Sequence, residues 1–173
     1  MTIHRQIVDD FTAHGIDFVT TVPCKQLAGV IDEIENRKEI FHIPSNKEDE
    51  GMGLCAGAFM GGKRPAIIMQ NTALGVTLNT LATLIQFYRM PLPMLISYRG
   101  ELGEPVACQV EMAVHTKALL AQMGPERVAA ILDRHGAERF TEHTLTGADH
   151  RRDGVHLHAA DPTAFLKSSN VVL

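Results

Sequence analysis

The chain contains no tryptophan, and aromatic side chains make up only 5% of its 173 residues. That removes the stacking platforms on which single-stranded nucleic acids are held. Sixteen Lys and Arg stand against twenty Asp and Glu, for a formal net charge of −4. No cationic field is therefore on offer to a phosphate backbone, and nucleic acid is excluded as a partner. Cysteine is scarce: Cys24, Cys55 and Cys108 are odd in number and form no C-x-x-C pair. Such usage suits reduced thiols in a cytoplasmic setting better than a disulfide framework. Long apolar runs are missing too. Leu92 to Ile96 falls far short of the roughly 20 residues a membrane helix needs, and the stretch from Met1 to Asp10 lacks the apolar core of a signal peptide. No P-loop and no G-x-G-x-x-G after a strand occurs.

What is present is the composition of a globular protein, 45% hydrophobic and 21% charged, long enough to bury a real core. Ile3, Ile7, Val8 and Phe11 recur at helical spacing, with His14-Gly15 as a stop. Residues 17–22 read as a strand halted by Pro23, and Leu27, Val30, Ile31 and Ile34 mark a second helix. Residues 40–43 form a short strand ending at Pro44, after which Ser45 or Asn46 can cap a helix. Residues 65–70 and 92–97 read as buried strands around a helix at 74–88. Further on, the pattern predicts a loop at 101–112, helices at 113–123 and 125–135, a polar loop at 143–154 and a last strand at 155–159. Strands alternating with helices predict one three-layer α/β domain over residues 1–173, with a mostly parallel sheet flanked by helices.

In an open parallel sheet, ligands bind beyond the carboxyl ends of the strands. The segments placed there are Pro23-Cys24-Lys25, Ser45 to Glu48, Asn71-Thr72-Ala73 and Tyr98-Arg99-Gly100. Glu48, Asp49 and Glu50 all suit the first turn of a helix, where acidic groups complement its dipole. Gly53, Gly57 and Gly61, four residues apart, share a helix face at a cost of up to about 1 kcal/mol each relative to Ala. Such a bare stripe permits either tight helix-on-sheet packing or close approach of another backbone or a flat ring. Thr72 is either a simple N-cap or a contributor to an anion-accepting turn. His156 and His158 alternate onto one strand face within a cluster that includes His135, His143 and His150. None has a carboxylate or Cys at zinc-like spacing, so no metal site is expected.

The run from Lys47 to Gly57, with Gly62-Lys63-Arg64-Pro65 and Met69 to Leu81, resembles the pyrimidine-binding domain of thiamine-diphosphate-dependent decarboxylases. Val22-Pro23-Cys24 and Ile96 to Gly100 fit the same pattern, and the resemblance covers about residues 1–135. The pattern is nearest to the branch that decarboxylates sulfopyruvate to sulfoacetaldehyde, in coenzyme M biosynthesis or sulfonate metabolism, with the phosphonopyruvate branch close by. The resemblance implies that Glu48 hydrogen-bonds the aminopyrimidine ring of the cofactor and tunes its proton chemistry. It places Pro23, Asn71 and Thr72 near the cofactor. Cys24, Lys25, Gln70 and Arg99 are substrate candidates, because a two-anion substrate calls for a fixed cation. Relatives carry Ser-Gly in place of Thr72-Ala73, and many sulfopyruvate enzymes carry His in place of Tyr98; both differences bear on substrate identity.

The Gly-Asp-Gly motif that holds Mg²⁺ and diphosphate in this family has no counterpart, Gly147-Ala148-Asp149 and Asp153-Gly154 being the nearest approaches. The expectation is therefore a hetero-oligomer, in which a beta subunit supplies the Mg²⁺ and diphosphate site and this chain is inactive alone. A non-catalytic subunit that keeps the fold to assemble with a partner is the reading from a different class.

Overall fold

The computed structural model describes residues 2–100, 103–122, 130–133 and 155–157. Helix α1 (Ile3–Ala13) opens under Thr2, whose hydroxyl accepts the Arg5 N–H at 3.3 Å, and ends at His14 before Gly15 turns the chain at φ 76°. Strand β1 (Phe18–Thr21) follows, then a 3₁₀ turn over Lys25–Leu27, helix α2 (Ala28–Glu35) and strand β2 (Phe41–Pro44). Helix α3 (Glu48–Met60) leads through the Gly61-Gly62 turn into β3 (Pro65–Gln70). A 3₁₀ turn at Asn71–Ala73 runs into α4 (Leu74–Thr80), which widens to π-type winding over Leu81–Gln86 before β4 (Met94–Ser97). Another 3₁₀ turn (Ala107–Gln109), α5 (Val110–Gln122), β5 (Ala130–Asp133) and β6 (Val155–Leu157) complete the described elements.

The sheet order is β2-β1-β3-β4-β5-β6, with every neighbouring pair parallel except β5 with β6. This is the mostly parallel α/β sheet expected. Alternation along β3 shows why both faces must be covered. Ile67 and Met69 enter one core with Met52, Cys55, Leu74, Leu81 and Ile85, whereas Ala66 and Ile68 enter the other with Val8, Phe11, Leu27, Val30 and Ile34. Period-two geometry sends successive side chains to opposite faces, so α3, α4 and α5 cover one side and α1 and α2 the other. Asp17 ties the starts of β1 and β3 together. Its carboxylate accepts the Arg64 N–H at 2.8 Å and the Lys63 ammonium at 3.1 Å.

Three expectations are corrected. The helix expected at 125–135 is a strand over Ala130–Asp133, paired with β4 in register from Met94↔Ala130 to Ser97↔Asp133. A short apolar run does not distinguish strand from helix by period, and an open ladder edge on β4 decides it. The single helix expected at 74–88 is two windings in series, α-helical over Leu74–Thr80 and π-type over Leu81–Gln86. Neither Ser45 nor Asn46 caps α3 with its side chain: Lys47 is the cap residue, and Ser45 Oγ instead donates to Lys47 O at 3.1 Å. The loop expected at 143–154, the end of the last strand and the role of residues 136–173 lie largely outside the described residues.

Candidate active site

Parallel pairing brings the turns after β1, β2, β3 and β4 to one edge, as the carboxyl-end rule requires. After β1, the Val22 N–H donates to Ile68 O at 3.0 Å, continuing the ladder and delivering Pro23 and Lys25 exposed and Cys24 buried. Cys24 Sγ lies 3.2 Å from Ser97 Oγ. After β2, the Ser45 N–H donates to Thr21 O at 2.9 Å, and α3 begins at Glu48.

The acidic run at the head of α3 divides by partner. Glu50 Oε2 accepts the Asn46 N–H at 3.3 Å, and Asp49 Oδ1 accepts the Glu50 N–H at 3.0 Å. Both therefore serve the helix start itself. Glu48 is half-buried, and among the described residues no hydrogen bond or ion pair engages its carboxylate. The helix behind it is seated by Gly51. A Cβ there would lie 2.9 Å from Ser45 Oγ, 3.1 Å from Thr20 Oγ1 and 3.2 Å from Ile67 Cδ1, while Thr20 Oγ1 donates to Gly51 O at 3.4 Å. Gly53 and Gly57 are exposed, with nothing within 4 Å of a Cβ, so they do not pack this helix on this sheet. Sequence reasoning missed Gly51, although its burial partners Met52, Cys55 and Ala56 mark that face as the inward one.

After β3, Asn71 is fully buried and its amide is spent inside the chain. Nδ2 donates to Arg99 O at 3.0 Å and to Thr116 Oγ1 at 2.9 Å, and Oδ1 accepts the Arg99 N–H at 2.9 Å. Its side chain thus clamps the backbone after β4 and braces α5. Thr72 sits inside the 3₁₀ turn and is not an N-cap; it is half-buried, as is Gln70, and its hydroxyl has no hydrogen bond among the described residues.

After β4, the buried Arg99 forms a fork on Glu104. Nε donates to Oε2 at 2.9 Å and Nη2 to Oε1 at 2.6 Å. Glu104 also accepts the Gly100 and Val106 N–H groups, each at 3.0 Å. The Arg99 hydrogen bonds, followed by those from the backbone, outweigh burial and bring its carboxyl down to about 2. The same pairing raises the Arg99 guanidinium. Gly100 makes the turn possible: its φ is 91°, and a Cβ would lie 2.3 Å from Gln109 O. Glu104 went unnoticed in the sequence, where only its position five residues past Arg99 hinted at a pair. Tyr98, in turn, is a core group whose hydroxyl donates to Ala113 O at 2.9 Å.

The structure thus gathers Cys24, Ser97, Asn71, Arg99 and Glu104 into one network. Glu48, Pro23, Lys25 and Thr72 stand along the same edge outside its hydrogen bonds. Among the described residues, no group of three or more His, Cys, Asp and Glu is placed to hold a metal ion. His135, His143, His150 and His158 lie outside those residues, whereas His156 is in β6. No helix among the described residues is long and apolar enough to cross a membrane.

A mostly parallel sheet covered by helices on both faces, with the turns after its strands meeting at one edge, places the chain in the α/β class. Residues 1–97 match the family "thiamine pyrophosphate enzyme, N-terminal TPP binding domain", and the chain belongs to it. Within that family it is 41% identical over 118 residues to sulfopyruvate decarboxylase subunit alpha of Methanococcus maripaludis, covering 68% of each chain. A longer sulfopyruvate decarboxylase of Methanosarcina acetivorans is 32% identical over 121 residues, spanning 69% of this chain and 30% of that one. Among solved structures, the 2-oxoglutarate:ferredoxin oxidoreductase of Magnetococcus marinus superposes with a TM-score of 0.56 at 11% identity, covering 80% of this chain and 29% of the other. That last likeness concerns the fold alone.

Proposed function

We propose that this chain is the pyrimidine-binding subunit of a thiamine-diphosphate-dependent decarboxylase that takes 3-sulfopyruvate to sulfoacetaldehyde and CO2. The observation that carries the reading is Glu48: of the three acidic residues opening α3 it alone lacks a partner within the described chain. A carboxyl group with free oxygens at a half-open edge fits the ring nitrogen of an aminopyrimidine, and enclosure by a partner would complete its desolvation. Thiamine diphosphate, when bound, supplies the electron sink for decarboxylation. Glu48 holds and exchanges a proton at that ring nitrogen. Pro23 and the Thr72 hydroxyl flank the cofactor edge. Asn71 acts on it by shaping the turn, since its amide is already committed.

The partner we infer is a beta subunit that carries the Mg²⁺ and diphosphate site. Two facts support it: the relative from Methanococcus maripaludis is named subunit alpha, and the Methanosarcina acetivorans protein is more than three times the length this chain matches, 30% of it being covered. We take residues 1–173 as one domain, and free Cys24, Cys55 and Cys108 suit a cytoplasmic setting.

The test is co-expression with that partner and measurement of CO2 release from 3-sulfopyruvate and phosphonopyruvate, with thiamine diphosphate and Mg²⁺. Glu48→Gln is expected to lower turnover by about 10²- to 10⁴-fold while assembly, followed by sedimentation, is retained. Wild-type turnover in that variant refutes the role of Glu48. Preference for phosphonopyruvate would reassign the substrate without altering the cofactor chemistry.

A further inference from the structure

A buried fork with one nitrogen left over sits at the end of β4. Glu104 engages Nε and Nη2 of Arg99, and the only contact of Nη1 among the described residues is the soft Cys24 Sγ at 4.0 Å. The guanidinium is fixed from behind as well, because Asn71 holds both the N–H and the C=O of Arg99. Glu104 is itself immobilised by the Gly100 and Val106 amides, and its side chain is only 3% exposed, whereas 10% of the Arg99 side chain remains open. Glu104 is therefore the permanent anion of the pair, and a further acceptor is left the Nη1 donors together with the second Nη2 N–H.

Resting on the function proposed above, we propose that Glu104 is a positioning residue: it holds Arg99 in one orientation so that Nη1 receives the distal anion of a two-anion 2-oxo acid. Buried ion pairs are a weak source of stability, because desolvation offsets much of their attraction. A planar donor locked in place is, by contrast, what oriented recognition of an oxyanion requires. The pair is close to neutral, so recognition here depends on the direction of a donor more than on net charge. Replacing Arg99 by Lys keeps the charge and loses the fork.

The experiment uses the assembled enzyme with its partner subunit. Glu104→Gln and Arg99→Lys are each expected to raise KM for 3-sulfopyruvate by about 10- to 100-fold, the range for a charged hydrogen bond, with kcat changed by no more than about threefold. The inhibition constant of 3-sulfopropionate, which has the same two anions and no ketone, should rise in parallel. Glu104→Asp, which keeps the charge on a shorter arm, should fall between wild type and Glu104→Gln, and it is the deciding variant should Glu104→Gln not assemble. A purely structural pair would lower the melting temperature while leaving KM and the inhibition constant unmoved, and that result overturns the proposal. If the wild-type complex releases no CO2, the function reading fails by itself. Calorimetric binding of 3-sulfopropionate to wild type and to Glu104→Gln then still decides the positioning role, and equal affinities refute it.

Discussion

Gly51→Ala and Gly57→Ala are the same chemical change on the same helix, and the structure predicts that only the second stabilises the chain. A methyl at Gly57 meets nothing within 4 Å. It simply recovers the helix propensity that glycine forfeits, about 1 kcal/mol in favour of the folded chain. A methyl at Gly51 gains the same propensity, but enters space held by Ser45 Oγ at 2.9 Å, Thr20 Oγ1 at 3.1 Å and Ile67 Cδ1 at 3.2 Å. Relief is blocked on each side. Turning Ser45 away breaks its bond to Lys47 O, Thr20 is tied to Gly51 O, and Ile67 lies in the central sheet. Overpacking of this kind costs about 1–3 kcal/mol, leaving Gly51→Ala between neutral and about 2 kcal/mol destabilised. The variants should thus differ by about 1–3 kcal/mol, or roughly 2–12 °C in melting temperature at this chain length. Thermal unfolding of the isolated chain, followed by far-ultraviolet circular dichroism, measures this directly. Gly51→Ala melting at or above Gly57→Ala would refute the seating of α3 against β1 and β3.

Two further predictions concern titration and thiol chemistry. The Glu104 carboxyl is lowered from 4.5 to about 2 in the folded chain, chiefly by the Arg99 hydrogen bond. Because its folded value lies below the unfolded one, its stabilisation is complete above about pH 4.5 and is lost as pH falls toward 2. The melting-temperature gap between wild type and Glu104→Gln should therefore stay level from about pH 7 to 5 and close toward pH 3; a gap that widens on acidification contradicts the pairing. Burial pushes the Cys55 thiol up to about 12, and Cys24 is also buried, whereas Cys108 is exposed. A disulfide reagent at about pH 8 should titrate one thiol rapidly in the native chain and the other two only on unfolding, since the thiolate is the reactive form. Two fast thiols would show that a buried one is accessible.

The parallel sheet and the edge on which its turns meet were legible because β3 and β4 are apolar runs bounded by Pro, Gly and polar turns. Each must be covered on both faces, and helices of sufficient length stand between them. The strand at Ala130–Asp133 was not legible, since four residues with three apolar side chains carry no period. It exists through the ladder of β4, a partner more than thirty residues away. The glycine face of α3 lies between these cases. The spacing picks out a bare stripe correctly at Gly53 and Gly57, whereas Gly61 caps the helix end, and it says nothing about which side meets the sheet. The neighbours of Gly51, namely Met52, Cys55 and Ala56, contained that information.

Arg99 and Glu104 show where local reading stops. On a helix, residues four or so apart are neighbours by geometry, and a pairing rule follows from spacing alone. Arg99 and Glu104 are five apart and outside a helix, where spacing carries no such rule, since each intervening φ and ψ is free. Here the return is made by Gly100 at φ 91°, which turns the chain so that its own N–H and the Arg99 fork converge on one carboxylate. Asn71, from the turn after β3, then fixes the Arg99 backbone. The cation could be named from the sequence as a substrate candidate. The three groups that decide its orientation belong to the turns after two neighbouring strands, so what Arg99 offers to a ligand is a property of the fold and not of the residue.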